Sequence, residues 1–220
     1  MLQLFFLLSS EPSSNQLDRG KMRDVLMRLF FQDLDLHALA VSSISLEVDS
    51  DFEYGCYGVR CVDGEVTEVE YHNFSPRGNF HIESLPSTVR LLAIEFCQQA
   101  FEVNTRVWPR RLRTINLVGN DITGCPDLTT LPAGLEVAFL NNNEMVGPIT
   151  LTDLPRNLGI LDIHGNRIRQ RVVFYDNLPE SLHRVTLKGG NHIGEVQSVH
   201  PSSTVKQPDI FKNMRRSHIH

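Results

Sequence analysis

The chain has 220 residues, of which 41% are hydrophobic, and its formal net charge is −5. This length and apolar content are enough to bury a sizeable core. The acidic balance argues against a nucleic-acid partner, because phosphate binding requires a concentrated basic surface. Since no apolar run is long enough to cross a bilayer, we expect no transmembrane segment and no integral receptor.

The chain begins with a segment that contains the apolar run Leu4 to Leu8. Such a run is typical of a signal-peptide core, but it is short and no Lys or Arg precedes it. Two alternatives therefore stay open for residues 1–16: a signal segment or a disordered N-terminus. The compartment stays open with them, and cytoplasmic and secreted or cell-surface locations are both compatible with the sequence.

Residues 17–34 have the spacing of an amphipathic helix. The apolar side chains at helical spacing are Met22, Val25, Leu26 and Leu29. Basic and acidic residues balance in this segment, whereas a free membrane-binding helix is usually rich in Lys and Arg. We therefore expect the helix to cover the open end of the structure that follows.

A five-residue phrase, Leu-Pro-x-x-Leu with small changes, recurs along the middle of the chain. Its copies begin at Leu85, Trp108, Leu131, Leu154 and Leu178. The spacing between successive copies is 23 or 24 residues. A period of this length indicates a solenoid, in which each repeat stacks on its neighbours and cannot stand alone.

A second pattern starts at the last residue of each phrase. Its first, fourth and sixth positions are apolar and its ninth is Asn or Cys, as in Leu135, Ala138, Leu140 and Asn143. The alternation predicts a short strand with these apolar side chains turned inward. An Asn at the ninth position can bond the buried backbone of the turn that follows. We expect this structural role for Asn120, Asn143 and Asn166.

These patterns resemble the leucine-rich repeat. Gly124 and Gly147 at the thirteenth position are similar to the plant-receptor class, which many protist proteins also use. The resemblance implies an α/β solenoid with short parallel strands on the concave face and a helical N-terminal cap. It also implies 3₁₀ and extended segments on the convex face.

The segment from Tyr54 to Cys61 resembles the Cys-x-Trp-x-Gly-Val-x-Cys element of plant-type N-terminal caps. Gly58 and Val59 match this element, but Tyr54 and Cys56 stand where the family has its first Cys and its Trp. The disulfide of the family is therefore not carried over directly. Cys56 can pair with Cys61 across the turn, or all four cysteines can be reduced thiols.

The patterns divide the chain into four parts. We expect a signal or disordered segment at 1–16, an N-terminal cap at 17–65, about six repeats at 66–199 and a disordered basic tail at 200–220. The outer repeats are irregular, as capping repeats usually are. The tail is rich in Lys and Arg with little apolar content.

The outward side chains of the stacked strands form ladders across the concave face. They place an apolar strip at the centre, with polar and charged residues around it, and such a strip usually marks a partner site. The candidate partner-binding residues are Leu91, Val137, Phe139, Asn141, Ile160, Asp162, His164, Arg184 and Lys188. Two alternatives stay open: the strip is exposed without consequence, or a flanking segment such as the tail covers it.

Asp162, His164 and Thr186 superficially offer an acid, a base and a hydroxyl on this face. Residues two apart on a strand lie about 6.5 to 7 Å apart, which is too far for Asp162 to orient His164 without a bend. The chain has no Gly-rich phosphate loop, paired-cysteine zinc motif or nucleophile elbow. We therefore predict no catalytic residue, no cofactor and no metal site.

The sequence thus favours a non-catalytic module that binds a protein or peptide on its concave face. One alternative is a secreted or surface ligand-recognition module that resembles a receptor ectodomain. Another is a divergent or truncated repeat protein without a selected partner. The sequence does not identify the partner or the oligomeric state.

Overall fold

The computed structural model of the protein describes residues 14–34, 58–74, 77–200 and 208–220. One α-helix, α1, spans Ser14–Phe30 in these ranges. The strands are β1 (Val59–Val62), β2 (Glu65–His72), β3 (Leu91–Glu95), β4 (Thr114–Asn116), β5 (Val137–Phe139), β6 (Ile160–Asp162), β7 (Arg169–Tyr175), β8 (Arg184–Thr186), β9 (His192–Ser198) and β10 (Phe211–Lys212). The 3₁₀ segments are Ile82–Ser84, Thr105–Val107, Leu128–Thr130, Pro208–Ile210 and Arg216–His218.

The predicted strands stack into one sheet with the order β1-β2-β3-β4-β5-β6-β8-β10. Neighbours from β2 to β10 are parallel, while β1 pairs with β2 in the antiparallel direction. Thr114 lies beside Val137, and Val137 lies beside Ile160, so equivalent positions of successive repeats are in register. The predicted α/β solenoid with ladders of equivalent residues is confirmed.

Each Leu-Pro phrase closes a tight turn between the convex and concave sides. The amide of Leu135 donates to the carbonyl of Pro132, and the same bond recurs between Leu158 and Pro155. Two of the 3₁₀ segments that precede a phrase are capped by a side-chain oxygen. Asp127 Oδ1, for example, accepts from the amide of Thr129 at 3.2 Å. The phrase thus marks where each turn of the solenoid enters its strand.

The inward apolar positions form one continuous core along the stack. Leu135, Ala138 and Leu140 have no exposed surface, and the equivalent residues of the neighbouring repeats are also buried. The same cluster reaches from Met27 on α1 to Phe211 on β10. Because each repeat covers the next, stability depends on contacts between neighbours.

The ninth-position Asn side chains lie inside this core. Asn120, Asn143 and Asn166 are 4 to 6% exposed. The Nδ2 group of Asn166 donates to the carbonyl of Leu140 in the preceding repeat, and its Oδ1 accepts from the amide of Met145. Each side chain thus joins two repeats through backbone groups that water cannot reach.

In two repeats, a residue other than the ninth-position Asn makes the hydrogen bond to the preceding repeat. In the last one, Gly189 and Gly190 adopt φ angles of +90° and +100°, which accommodates one extra residue. Asn191 then bonds the amide of Ile168 at 3.0 Å. Where Cys97 replaces Asn, the buried Gln99 accepts from the amide of Phe80 at 2.7 Å.

The N-terminal helix covers the first repeat, but not with the predicted face. Met22, Val25 and Leu29 are 60%, 52% and 40% exposed, whereas Met27 and Phe30 are buried. The helix also ends at Phe30 rather than at residue 34. The prediction of the buried face was wrong because the helix packs against the first repeat through the large aromatic side chain at its end, Phe30, and not through its exposed aliphatic side chains.

An aromatic cluster holds this cap in place. Its members are Phe30, Phe31, Tyr71, Phe74 and Phe80. Phe30 stacks on Phe80 with ring centroids 5.0 Å apart, and Tyr71 lies 4.7 Å from Phe80. A polar contact adds to the cluster, since Arg23 Nη1 donates to the carbonyl of Gly64 at 2.9 Å. The predicted helical cap is therefore confirmed.

His81 contacts two carboxylates where the cap meets the first repeat. Its Nε2 lies 2.6 Å from Asp33 Oδ2, just past α1, and its Nδ1 lies 3.0 Å from Glu83 Oε1. Burial lowers the pKa of His81, but the bonds with Asp33 and Glu83 outweigh burial and raise it above 6.5. Their stabilisation is therefore complete below the ordinary pKa and is lost as pH rises through the raised one.

We expect a His81→Gln variant to lose more thermal stability at low pH than at high pH. The difference in Tm from wild type should be largest at about pH 5.5 and should shrink toward about pH 8.5. Comparison with wild type at each pH cancels the titration of the other histidines. A difference that stays constant with pH would contradict the protonated cluster.

The expectation of a disordered tail is wrong for residues 208–220. β10 pairs with β8 in parallel, with Phe211 beside Val185, and both Ile210 and Phe211 are buried. His220 also bonds β9, since its amide donates to the carbonyl of Val196 at 2.9 Å. These apolar residues cover the core of the last repeat, which an open solenoid end would expose.

Two predictions fall on residues outside the described ranges. Residues 1–13 of the predicted signal segment lie outside them, whereas residues 14–16 belong to α1. Cys56 also lies outside them, so its pairing with Cys61 stays a prediction. Within the described ranges, no helix has both the length and the apolar character that a membrane span requires.

Candidate functional site

The parallel register collects the predicted partner-binding residues on the concave side. They belong to the strands and strand ends of β3, β5, β6 and β8. Val137 and Phe139 lie on β5 next to Ile160 and Asp162 on β6. Leu91 is separated from this group by β4, because Thr114 lies between Leu91 and Val137.

Val137, Phe139 and Ile160 form what we call the central strip. Val137 and Ile160 are direct neighbours across two strands, which places them about 4.8 Å apart along the sheet. All three side chains are partly exposed, whereas the alternate residues Ala138 and Leu161 are fully buried. The strip therefore presents apolar surface to solvent on otherwise well-packed strands.

Asp162 and His164 meet directly, contrary to the sequence expectation. His164 Nδ1 lies 2.5 Å from Asp162 Oδ1, and the amide of His164 donates to the same oxygen at 3.3 Å. β6 ends at Asp162, and the carboxylate of Asp162 accepts from the backbone two residues on, a local contact that Asp and Asn side chains commonly make. Arg184 Nη2 adds a contact with Asp162 Oδ2 at 3.5 Å.

The hydroxyl of Thr186 does not complete a catalytic arrangement with this pair. Thr186 pairs with Asp162 across the strands, but its Oγ1 is buried and bonds no group within the described ranges. His164 is therefore not placed to accept a proton from it. The bonded pair of Asp162 and His164 instead forms a fixed polar group beside the central strip.

Two cysteine thiols of the solenoid are not activated. Cys97 and Cys125 are both free thiols. Burial raises the pKa of each, and Asp127 raises that of Cys125 further. A thiol with a raised pKa is protonated at neutral pH and is a poor nucleophile or metal ligand. In the portion of the chain that the structure describes, no three metal-ligating side chains converge on one point.

Phe96 is an exposed aromatic residue that the sequence patterns did not indicate. It follows β3 with φ +52°, and half of its side chain is exposed. It lies against Gly119 of the next repeat, where an added Cβ atom would overlap the Phe96 ring. Its only sequence signal is a large aromatic residue followed, one repeat later, by Gly at the same position.

The concave face also carries an uneven charge distribution. Glu68, Glu70 and Glu95 lie on β2 and β3, near the N-terminal end of the stack. Lys188 and Lys212 lie at the other end, beside Arg184. The central strip thus lies between an acidic end and a basic end.

This protein resembles known proteins in structure but not in sequence. By sequence, no protein-family model and no curated protein matches the chain. A pollen receptor kinase 3 structure superposes with a TM-score of 0.60 at 16% identity, covering 82% of this chain and 99% of that chain. The leucine-rich repeat ectodomain of SOBIR1 from Arabidopsis thaliana gives 0.51 at 24% identity, with 76% and 96% covered.

A third similar structure is the BIR3–SERK2 complex from Arabidopsis thaliana. Its TM-score is 0.53 at 16% identity, and the match covers 80% of this chain and 95% of that chain. At these identities the likeness concerns the fold, and it covers nearly the whole of each compared chain. With the in-register ladders and buried Asn positions, it shows that the protein has the leucine-rich repeat fold.

Proposed function

We propose that the protein is a non-catalytic recognition or scaffold module that binds a protein or peptide on its concave face. The observation that carries this proposal is the central strip, in which Val137, Phe139 and Ile160 remain partly exposed. Contiguous exposed apolar residues with a polar rim are typical of partner sites.

The position of the C-terminal segment argues against one alternative, in which the tail covers the central strip. A tail lying across the strip would have explained the apolar residues as a covered surface. Residues 208–220 instead extend the edge of the sheet beyond β8 and pack against the last repeat. The described tail therefore leaves the strip open to a partner.

The polar rim around the strip suits a specific partner. Asp162, His164 and Arg184 are held by mutual contacts, and Asp162 is almost fully buried. Side chains with fixed positions lose little conformational entropy on binding, which favours selective recognition. Of the structurally similar proteins, BIR3 and SERK2 form a complex, and this supports the proposal that a module of this fold binds a protein.

The test is a quantitative affinity purification from native cells with the full-length chain. We expect a Val137→Asp, Ile160→Asp double variant to lose the partner, because two charges on the strip oppose burial of its apolar surface. The control is Val107→Asp, Val146→Asp, which introduces the same two charges at exposed valines (41% and 43%) outside the concave strands. Circular dichroism establishes that both variants fold.

Three outcomes separate the candidate functions. Loss of a partner from the strip variant alone supports concave-face binding, and the partner's compartment tells an intracellular scaffold from a secreted or surface receptor-like module. Equal recovery with all three proteins would exclude the strip as the site. Absence of any partner would favour a divergent repeat protein without a selected partner.

A further inference from the structure

We infer that the occupant of the concave face is an extended peptide segment with opposite charges at its two ends and apolar residues between them. This inference rests on the proposed function, because it names the chemistry of the partner for the same face. Its basis is the charge of the concave face, which is negative at the N-terminal end of the stack and positive at the C-terminal end.

The N-terminal end of the face is acidic. Glu68, Glu70 and Glu95 lie there, and Arg60 neutralises Glu68 at 3.2 Å. Glu95 accepts from Asn116 Nδ2 at 2.7 Å, a bond that holds the carboxylate without removing its charge. His72 Nδ1 lies 3.4 Å from Glu95 Oε1. This end therefore keeps a net negative charge.

The C-terminal end of the face is basic. Arg184, Lys188 and Lys212 occupy β8, its extension and β10, and the buried carboxylate of Asp162 contacts Arg184. Lys212 Nζ donates to the carbonyl of Asp209 at 2.7 Å, and this neutral acceptor leaves the ammonium charge in place. The ordered tail thus adds to the basic end a cation that the repeats alone do not provide.

β6 carries the buried carboxylate of Asp162, and β4 and β5 carry no charge on their outward positions. These positions are Thr114, Asn116, Val118, Val137, Phe139 and Asn141. A ligand that lies along the face therefore meets carboxylates first, then apolar and amide groups, and then cations. Complementary charges set both the choice of partner and its orientation.

The dimensions of the face favour a peptide over a folded domain. Five strand steps from β2 to β8 span about 24 Å, and three outward positions span about 13 Å along each strand. An area of about 300 Å² is well below the roughly 800 Å² per partner of a standard protein interface. About seven residues of extended chain, at about 3.3 Å each, cover this length.

The experiment measures the binding of four peptides of about nine residues to the full-length protein by fluorescence anisotropy. All share one apolar centre and have blocked termini, and their ends are oppositely charged, both acidic, both basic or uncharged. We expect the oppositely charged peptide to bind at least about tenfold more tightly than the others. Its advantage should shrink as salt is added.

A charge-reversed variant tests the assignment of the basic end. Lys188→Glu, Lys212→Glu makes both ends acidic, so its preference should move to the peptide with two basic ends. Arg110→Glu, Arg156→Glu is the matched control, because it changes the net charge equally at exposed residues outside the ladders. We expect the control to keep the wild-type preference.

The outcomes distinguish failure of this inference from failure of the proposed function. If wild type binds the uncharged peptide as tightly as the oppositely charged one, and Val137→Asp, Ile160→Asp abolishes both, the charge pattern is wrong and concave binding stands. If no peptide binds while a folded partner is lost from that same variant, the peptide assignment is wrong. If peptides bind equally to wild type and to the strip variant, both proposals are wrong.

Discussion

Replacement of Asn143 by Ala is expected to lower the free energy of unfolding by about 4 kcal/mol. The Asn143 side chain is 5% exposed and bonds two repeats at once. Its Oδ1 accepts from the amide of Ile122 at 3.1 Å, and its Nδ2 donates to the carbonyl of Leu117 at 2.9 Å. Ala leaves these buried groups without partners, and each orphaned group costs about 1 to 3 kcal/mol.

Chemical denaturation monitored by circular dichroism measures this change. Asn157→Ala is the matched control, because Asn157 is exposed in a Leu-Pro phrase and should alter stability by less than about 0.5 kcal/mol. A small effect at Asn143 would mean that water or a rearranged backbone satisfies the turn. The Asn ladder would then not be the structural element that its hydrogen bonds indicate.

Phe30→Ala is expected to destabilise the protein by about 3 to 5 kcal/mol, the usual range for a buried Phe. Phe30 has no exposed surface and stacks on Phe80, which closes the first repeat. Its loss leaves a cavity between α1 and the stack. Because a solenoid transmits stability between neighbours, the first repeats should unfold at lower denaturant than the rest.

Hydrogen exchange followed along the chain measures where stability is lost. Val25→Ala on the same helix is the control, since Val25 is 52% exposed and should have an effect below about 0.5 kcal/mol. Uniform protection in the Phe30 variant, with unchanged global stability, would show that the helix does not stabilise the stack. The capping role of α1 would then be wrong.

The repeat pattern predicted most of the solenoid because it contains long-range information. Inward residues such as Leu135 and Leu158 recur at the period of the stack, so their register follows from their spacing. The same spacing grouped the outward residues of β5, β6 and β8 on one face. Whether a partner occupies that face is the subject of the binding experiments.

Local contacts at the ends of strands were less predictable. The spacing of residues along a strand placed Asp162 and His164 too far apart to bond, but the structure brings the two side chains together just past the end of β6. Similarly, Asn191 arrives one residue late in its repeat, and two glycines absorb the shift. Such adjustments depend on backbone angles that side-chain periodicity does not encode.

The sequence by itself determined the repeating architecture, since apolar residues at a fixed period can be buried only by stacking one repeat on the next. Only the tertiary structure decided how the two open ends are closed. Burial of Phe30 packs α1 through a face that the spacing of its apolar residues did not indicate. Burial of Phe211 places the basic segment 208–220 at the edge of the sheet. Both choices follow from the shape of the exposed core at each end, which exists only after the repeats have stacked.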